Sequence, residues 1–242
     1  MWLRQMKRFI RSRSRLVATF VQPLFFLFIL GAGFGSARLP GLEGNYINFL
    51  APGIIAMAIM FSSMFTGVSV LWDKQFGFLQ EVLVAPVSRF SIIVGRTLGG
   101  ATTALIQGFI ILFIAFGLGV NISGLLGILL TIIFMVLIAF TAVGFGLTIA
   151  SRIQDFQGFP LIMNLVIMPL LFLSSAFFPV SANETLKSIS MFNPLFYMVD
   201  GLRGSLVGTS NVYSPFVNLI VVILFCIVMM GIGIYSFSKS EL

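Results

Sequence analysis

With 242 residues, 59% of them hydrophobic and 9% charged, the chain cannot dress a water-facing surface, for which a soluble domain uses about a quarter charged residues. Its solvent is lipid, and apolar runs of about 20 residues have the length of membrane-crossing helices rather than of barrel strands. The net charge of +7 is explained by where the cations lie, histidine is absent, and the single Cys226 sits inside an apolar run, so nucleic-acid binding, a histidine metal site and a disulfide framework are excluded.

The first fifteen residues hold Arg4, Lys7, Arg8, Arg11, Arg13 and Arg15 and no acid. Trp2, Leu3, Met6, Phe9 and Ile10 recur between them at helical spacing, which predicts an amphipathic helix over 1–16 lying on the lipid surface. The apolar stretch that follows is too long for the core of a signal peptide. Six spans are expected at about 17–35, 50–72, 93–118, 124–150, 160–180 and 216–237, within one membrane domain covering 1–242. The fold class is therefore all-α integral membrane, with six transmembrane helices.

Orientation follows from the loops. With both termini cytoplasmic, the inner segments carry the six N-terminal cations together with Lys74, Arg89, Arg96, Arg152 and Lys239. The outer segments carry only Arg38, Lys187 and Arg203. The positive charge thus reports topology, and the expected location is the cell (inner) membrane.

No lysine follows a glycine, so the glycine-rich phosphate loop of an ATPase is missing and no cofactor is expected in this chain. Every charge falls in a loop or near a span end. The polar side chains within the spans are Gln22, Gln107, Asn164 and scattered Ser/Thr, more often interhelical glue than ligands. Small-residue pairs at Gly31/Gly35, Gly95/Gly99 and Ala142/Gly146 permit close helix crossings.

Two connections stand out by length. The inner one, 73–91, contains a short helix with the apolar stripe Phe78, Leu79, Val82 and Leu83, with Glu81 among them, ended by Pro86. The residues alone fit a docking element and an ordinary cytoplasmic connection equally. The outer one, 181–215, breaks at Asn193–Pro194 and then presents Leu195, Phe196, Met198, Val199, Leu202 and Leu206 as an apolar face, with Asp200 and Arg203 three residues apart. It is too short to span and too apolar for water, which predicts a re-entrant or interfacial helical segment between spans five and six; an amphipathic helix on the bundle rim is the alternative.

The inner run DKQFGFLQEVLVAPVSRF resembles the cytoplasmic loop of type-two ABC exporter permeases in its Gly77, Glu81 and Pro86–Arg89 elements. Residues 169–208 resemble the same family's fifth span and external segment through Phe177, Phe178, Pro179, Asn193, Pro194, Leu195 and Arg203. The drug-exporting, daunorubicin-resistance-like branch is the most similar. Two positions depart from it: Phe76 is apolar where relatives often carry a charge, and Leu79 follows Phe78 where they favour threonine.

The resemblance implies a permease that pairs with a second copy or a homologous permease and docks a separate ABC ATP-binding subunit, where ATP binds. It also implies outward transport of an amphiphilic drug, lipid or glycolipid, as in multidrug efflux, and a hairpin of short helices in the outer segment. In the inner loop, Gly77, Phe78, Leu79, Glu81, Leu83, Pro86 and Arg89 become ATPase-coupling residues, with Glu81 as polar anchor. The alternatives are an ATP-independent carrier or channel, and a membrane-embedded lipid-modifying enzyme. The last lacks the polar catalytic cluster at one depth that its chemistry needs.

Overall fold

The computed structural model describes residues 1–35, 45–75, 89–153, 158–180, 183–208 and 212–239. Every regular element among them is an α-helix: α1 (Trp2–Arg11), α2 (Arg13–Phe34), α3 (Tyr46–Gln75), α4 (Arg89–Gly117), α5 (Leu125–Arg152), α6 (Gly158–Phe172), α7 (Glu184–Ser190), α8 (Pro194–Leu206) and α9 (Pro215–Lys239).

Four of these helices contain stretches long and apolar enough to cross a membrane: Tyr46–Asp73, Ser91–Gly117, Leu125–Arg152 and Pro215–Phe237. They coincide with the expected second, third, fourth and sixth spans. At the first and fifth positions the apolar helices are shorter, Thr19–Phe34 and Gly158–Phe172. Helix α2 as a whole runs from Arg13 to Phe34. The helix expected to reach residue 180 stops at Phe172, because residues 173–178 turn and Ser175 takes φ +61°. The expected N-terminal helix also ends early: Ser12 leaves helical geometry, and Arg13 already belongs to the next helix.

The core is built around α3, where Leu50, Ala51, Ile54, Ile55 and Ile59 are fully buried. Helices α2, α4, α5 and α8 pack on it, and α9 closes the other side of α5 and α8. Such density requires bare backbone at two crossings. A Cβ on Gly67 would stand 2.5 Å from the carbonyl oxygen of Gly146, and one on Gly233 would stand 2.6 Å from that of Gly144. Of the three small-residue pairs, Gly95/Gly99 seats α1: Met1 lies against Gly95 and Gln5 against Gly99. Gln107, at a site expected for interhelical glue, donates through Nε2 to Thr19 Oγ1 at 2.8 Å and ties α4 to α2. Gln22 and Asn164 are exposed.

Candidate functional site

Two polar regions occupy opposite ends of the bundle. The first, at the end of the bundle that carries α1, gathers charges from three helices around one carboxylate. Asp73, in the last turn of α3, accepts from Arg4 of α1 in a two-pronged arrangement, Nη1 to Oδ2 at 3.1 Å and Nη2 to Oδ1 at 2.9 Å. Arg96 of α4 places Nη2 2.9 Å from Asp73 Oδ2. The Asp73 and Arg96 side chains are 7% and 2% exposed, whereas that of Arg4 is 40% exposed.

Neighbouring contacts join the same pieces. The Arg96 guanidinium lies 5.8 Å from the centre of the Phe237 ring of α9, and that of Arg8 lies 5.8 Å from the Trp72 ring. Trp2 Nε1 donates to Thr102 Oγ1 at 3.1 Å. A cavity of about 30 Å³ among Gln5, Thr66, Ser69, Asp73 and Arg96 has room for a water or two. Two guanidiniums sharing one buried carboxylate hold helices together by a directional, charge-assisted joint.

The second region, at the opposite end, is a hairpin, α7 followed by α8. Both helices start on asparagine caps. Asn183 Oδ1 accepts from the amides of Thr185 (2.9 Å) and Leu186 (3.4 Å), and Asn193 Oδ1 accepts from that of Leu195 at 3.0 Å. Pro194 follows in the first helical position, where its missing N–H costs no hydrogen bond. Asn193 also donates through Nδ2 to Leu170 O at 2.6 Å, fixing the start of α8 to the end of α6.

Helix α8 runs antiparallel to both α5 and α9. Its first turns line a small apolar cavity with Ile138, Ala142 and Phe225, half-way along those two helices. Its last residue accepts from Ser123 N at 2.9 Å, just before α5 begins.

The two charges expected to sit beside the apolar face of α8 are both wholly buried. Arg203 donates through Nε to Phe49 O (3.2 Å) and through Nη2 to Ser175 O (2.6 Å), with Nη1 3.4 Å from Ser175 Oγ. Its guanidinium stacks 3.8 Å from the centre of the Phe49 ring. Arg203 thus holds the left-handed Ser175 turn against α3. Asp200 Oδ2 accepts from Asn218 Nδ2 (2.9 Å) and from Tyr213 N (3.2 Å), joining α8 to the start of α9. The amphipathic rim helix is thereby replaced by a core helix whose charges bond to opposite sides.

Of the remaining outer residues, Phe177 is buried between Phe26 and Phe172, at ring separations of 5.5 and 5.4 Å, and its carbonyl accepts from Tyr46 Oη at 3.0 Å. Pro179 is buried and Phe178 exposed. The inner residues Gly77, Phe78, Leu79, Glu81, Leu83 and Pro86 lie outside the described residues; Arg89 opens α4, and its side chain also lies outside them. Sequence reasoning missed Asp73, Arg4 and Arg96 as a unit. The available signal was an acid placed directly at the end of an apolar run, where burial demands a cation.

A profile of the ABC-2 type transporter family matches residues 1–207. The chain is 30% identical over 202 residues to the ycf38 protein of Cyanophora paradoxa, named as a transport permease, covering 81% of this chain and 70% of that one. It is 25% identical over 215 residues to the inner membrane transport permease YadH of Escherichia coli K12, covering 87% and 83%. It is 30% identical over 200 residues to nodulation protein J of Rhizobium leguminosarum bv. viciae, covering 81% and 76%. The several apolar helices, the match over most of its length and these relatives agree: the chain belongs to the ABC-2 type transporter family and is a membrane permease.

Proposed function

We propose that this chain is the transmembrane subunit of an exporter whose energy comes from a separate ATP-binding subunit. The observation that carries the reading is that the family match, residues 1–207, runs through both the 73–91 connection and α8. Six helices cross the cell membrane with both termini cytoplasmic, which puts Arg4, Asp73 and Arg96 on the inner side by the excess of inner cations. The α7–α8 hairpin is re-entrant from the outer side, in keeping with a start of α8 half-way along α5 and α9. Two such permeases, identical or homologous, enclose the pathway.

The chain performs no covalent chemistry. Closure of the ATP-binding subunits pushes the helix of 73–91, which Glu81 anchors and Phe78, Leu79 and Leu83 seat. The spans then move as rigid bodies toward an outward-open state. ATP acts only through its different affinity for the two states. The cargo is an amphiphile, a drug, lipid or glycolipid, suited to a bundle that combines a large apolar core with buried polar side chains.

Purification in mild detergent tests the assembly: an ATP-binding subunit is expected to copurify in fixed stoichiometry, and a permease that transports without one overturns the reading. Glu81→Lys tests the coupling. The variant inserts and assembles, but ATP hydrolysis in reconstituted vesicles no longer drives export; export at the wild-type rate removes Glu81 from this role.

A further inference from the structure

We propose that Lys7, Arg8 and Arg11 of α1 form a binding site for the phosphate of an anionic phospholipid headgroup.

The structure divides the cations of α1 into two sets. Arg4 is paired with Asp73, which it shares with Arg96. Lys7, Arg8 and Arg11 enter neither ion pair, and all three are exposed. No acid precedes Glu43 in the chain, so α1 holds no carboxylate of its own to neutralise them. Lys7 and Arg11 are four residues apart and Arg8 and Arg11 three, spacings that set like charges side by side on a helix and destabilise it. An anion between them reverses the sign of that interaction. Phosphate suits the set, because a guanidinium grips it with two parallel N–H donors and an ammonium adds a point charge. With Leu3, Arg4 and Ser12 the three side chains line an open groove of about 640 Å³, the size of a small-ligand site.

Three observations favour a lipid over an acidic protein as the source of that phosphate or charge. Apolar Leu3 and Ile10 are exposed among the cations, Ile10 by 65%, and a bilayer covers such surface. The two tryptophans of the chain, Trp2 and Trp72, are both partly exposed at this end of the bundle, as such rings are at a membrane–water boundary. Arg8 lies 5.8 Å from the centre of the Trp72 ring, which holds one of the three cations at that boundary.

The same tryptophans supply the test, since no other residue of the chain shares their fluorescence band and both adjoin α1. The full chain is reconstituted in vesicles of phosphatidylcholine and phosphatidylglycerol at one fixed composition. Either lipid in turn carries bromine, which quenches tryptophan on contact. The ratio of the two quenching strengths measures the preference for the anionic lipid beside α1.

The parent is expected to prefer phosphatidylglycerol by about fivefold or more, the factor that a single cation near an anionic surface supplies. The triple variant Lys7→Gln, Arg8→Gln, Arg11→Gln is expected to show no preference. The pair Arg8→Lys, Arg11→Lys keeps the charge and most of the preference, and Lys187→Gln, at the opposite end, keeps all of it. If the triple variant does not insert, Arg11→Gln alone decides, with a preference at least halved. A parent without preference leaves the cations to an acidic protein surface and overturns the proposal, as does a preference that survives in the triple variant. Sodium phosphate that abolishes the preference where sodium chloride of equal ionic strength does not assigns the groove to a soluble anion, which overturns it as well.

Discussion

The inner junction and the outer hairpin solve one problem, placing charge inside a lipid-embedded bundle, in two ways. Inside, Asp73 is bonded to side chains of two other helices, one of them 40% exposed. Outside, Arg203 is bonded to backbone carbonyls and an aromatic face, with no exposure at all. An exposed side chain such as that of Arg4 changes rotamer within nanoseconds, whereas a backbone carbonyl moves only with its helix or turn. The inner solution ties three helices through side chains alone. The outer one locks α8, the Ser175 turn and the start of α3 into one body.

The comparison breaks first at Arg203. Arg203→Ala leaves buried carbonyls without their donor and opens a cavity, an expected loss of about 3 kcal/mol or more. Reaction of the buried Cys226 with a thiol dye during heating reads this as earlier unfolding. Arg203→Lys recovers less than half, because one ammonium cannot reproduce the planar fork across Phe49 O and Ser175.

Gly201→Ala comes next. Alanine favours a helix by about 1 kcal/mol over glycine, but here its methyl would collide with the Phe134 ring and stand 3.0 Å from Asn218 Cβ. Overpacking of about 1–3 kcal/mol wins, so the same dye assay is expected to show destabilisation. A stabilised variant would mean that α8 is held loosely.

Arg4→Gln is expected to cost about 1 kcal/mol or less in the same melt, as partly exposed pairs do. Its small effect on stability beside the large effect of Arg203→Ala is the contrast between a joint and a lock. Thr19→Val, which removes the acceptor of Gln107, should be the mildest, about 0.6 kcal/mol, read in the same melt.

Much of the helical architecture was legible because apolar length is a local property of a sequence. The Asn193–Pro194 break was equally readable, since cap and proline act on adjacent residues. The early end of α6 was not: Leu173, Ala176 and Phe177 look like continuing span, and the Ser175 turn is held by Arg203, 28 residues away. The burial of Asp200 and Arg203 was hidden for the same reason. A helical wheel shows that they neighbour each other, but their partners Phe49, Ser175 and Asn218 come from other elements. Arg4 and Asp73 are 69 residues apart, and their pairing is visible only once α1 is seated on α4. Of the inner coupling residues, Glu81 and its neighbours lie outside the described residues, so their assignment stays with the resemblance and with the Glu81→Lys test.

Hydrogen–deuterium exchange on the vesicle-embedded complex, with and without vanadate-trapped nucleotide, tests the division between an inner joint of side chains and a locked outer body most directly. Amides of α1 and of residues 71–75 and 91–97 are expected to change protection on trapping, while those of α8 remain equally protected in both states. Loss of protection in α8 with no change at the inner ends would contradict it.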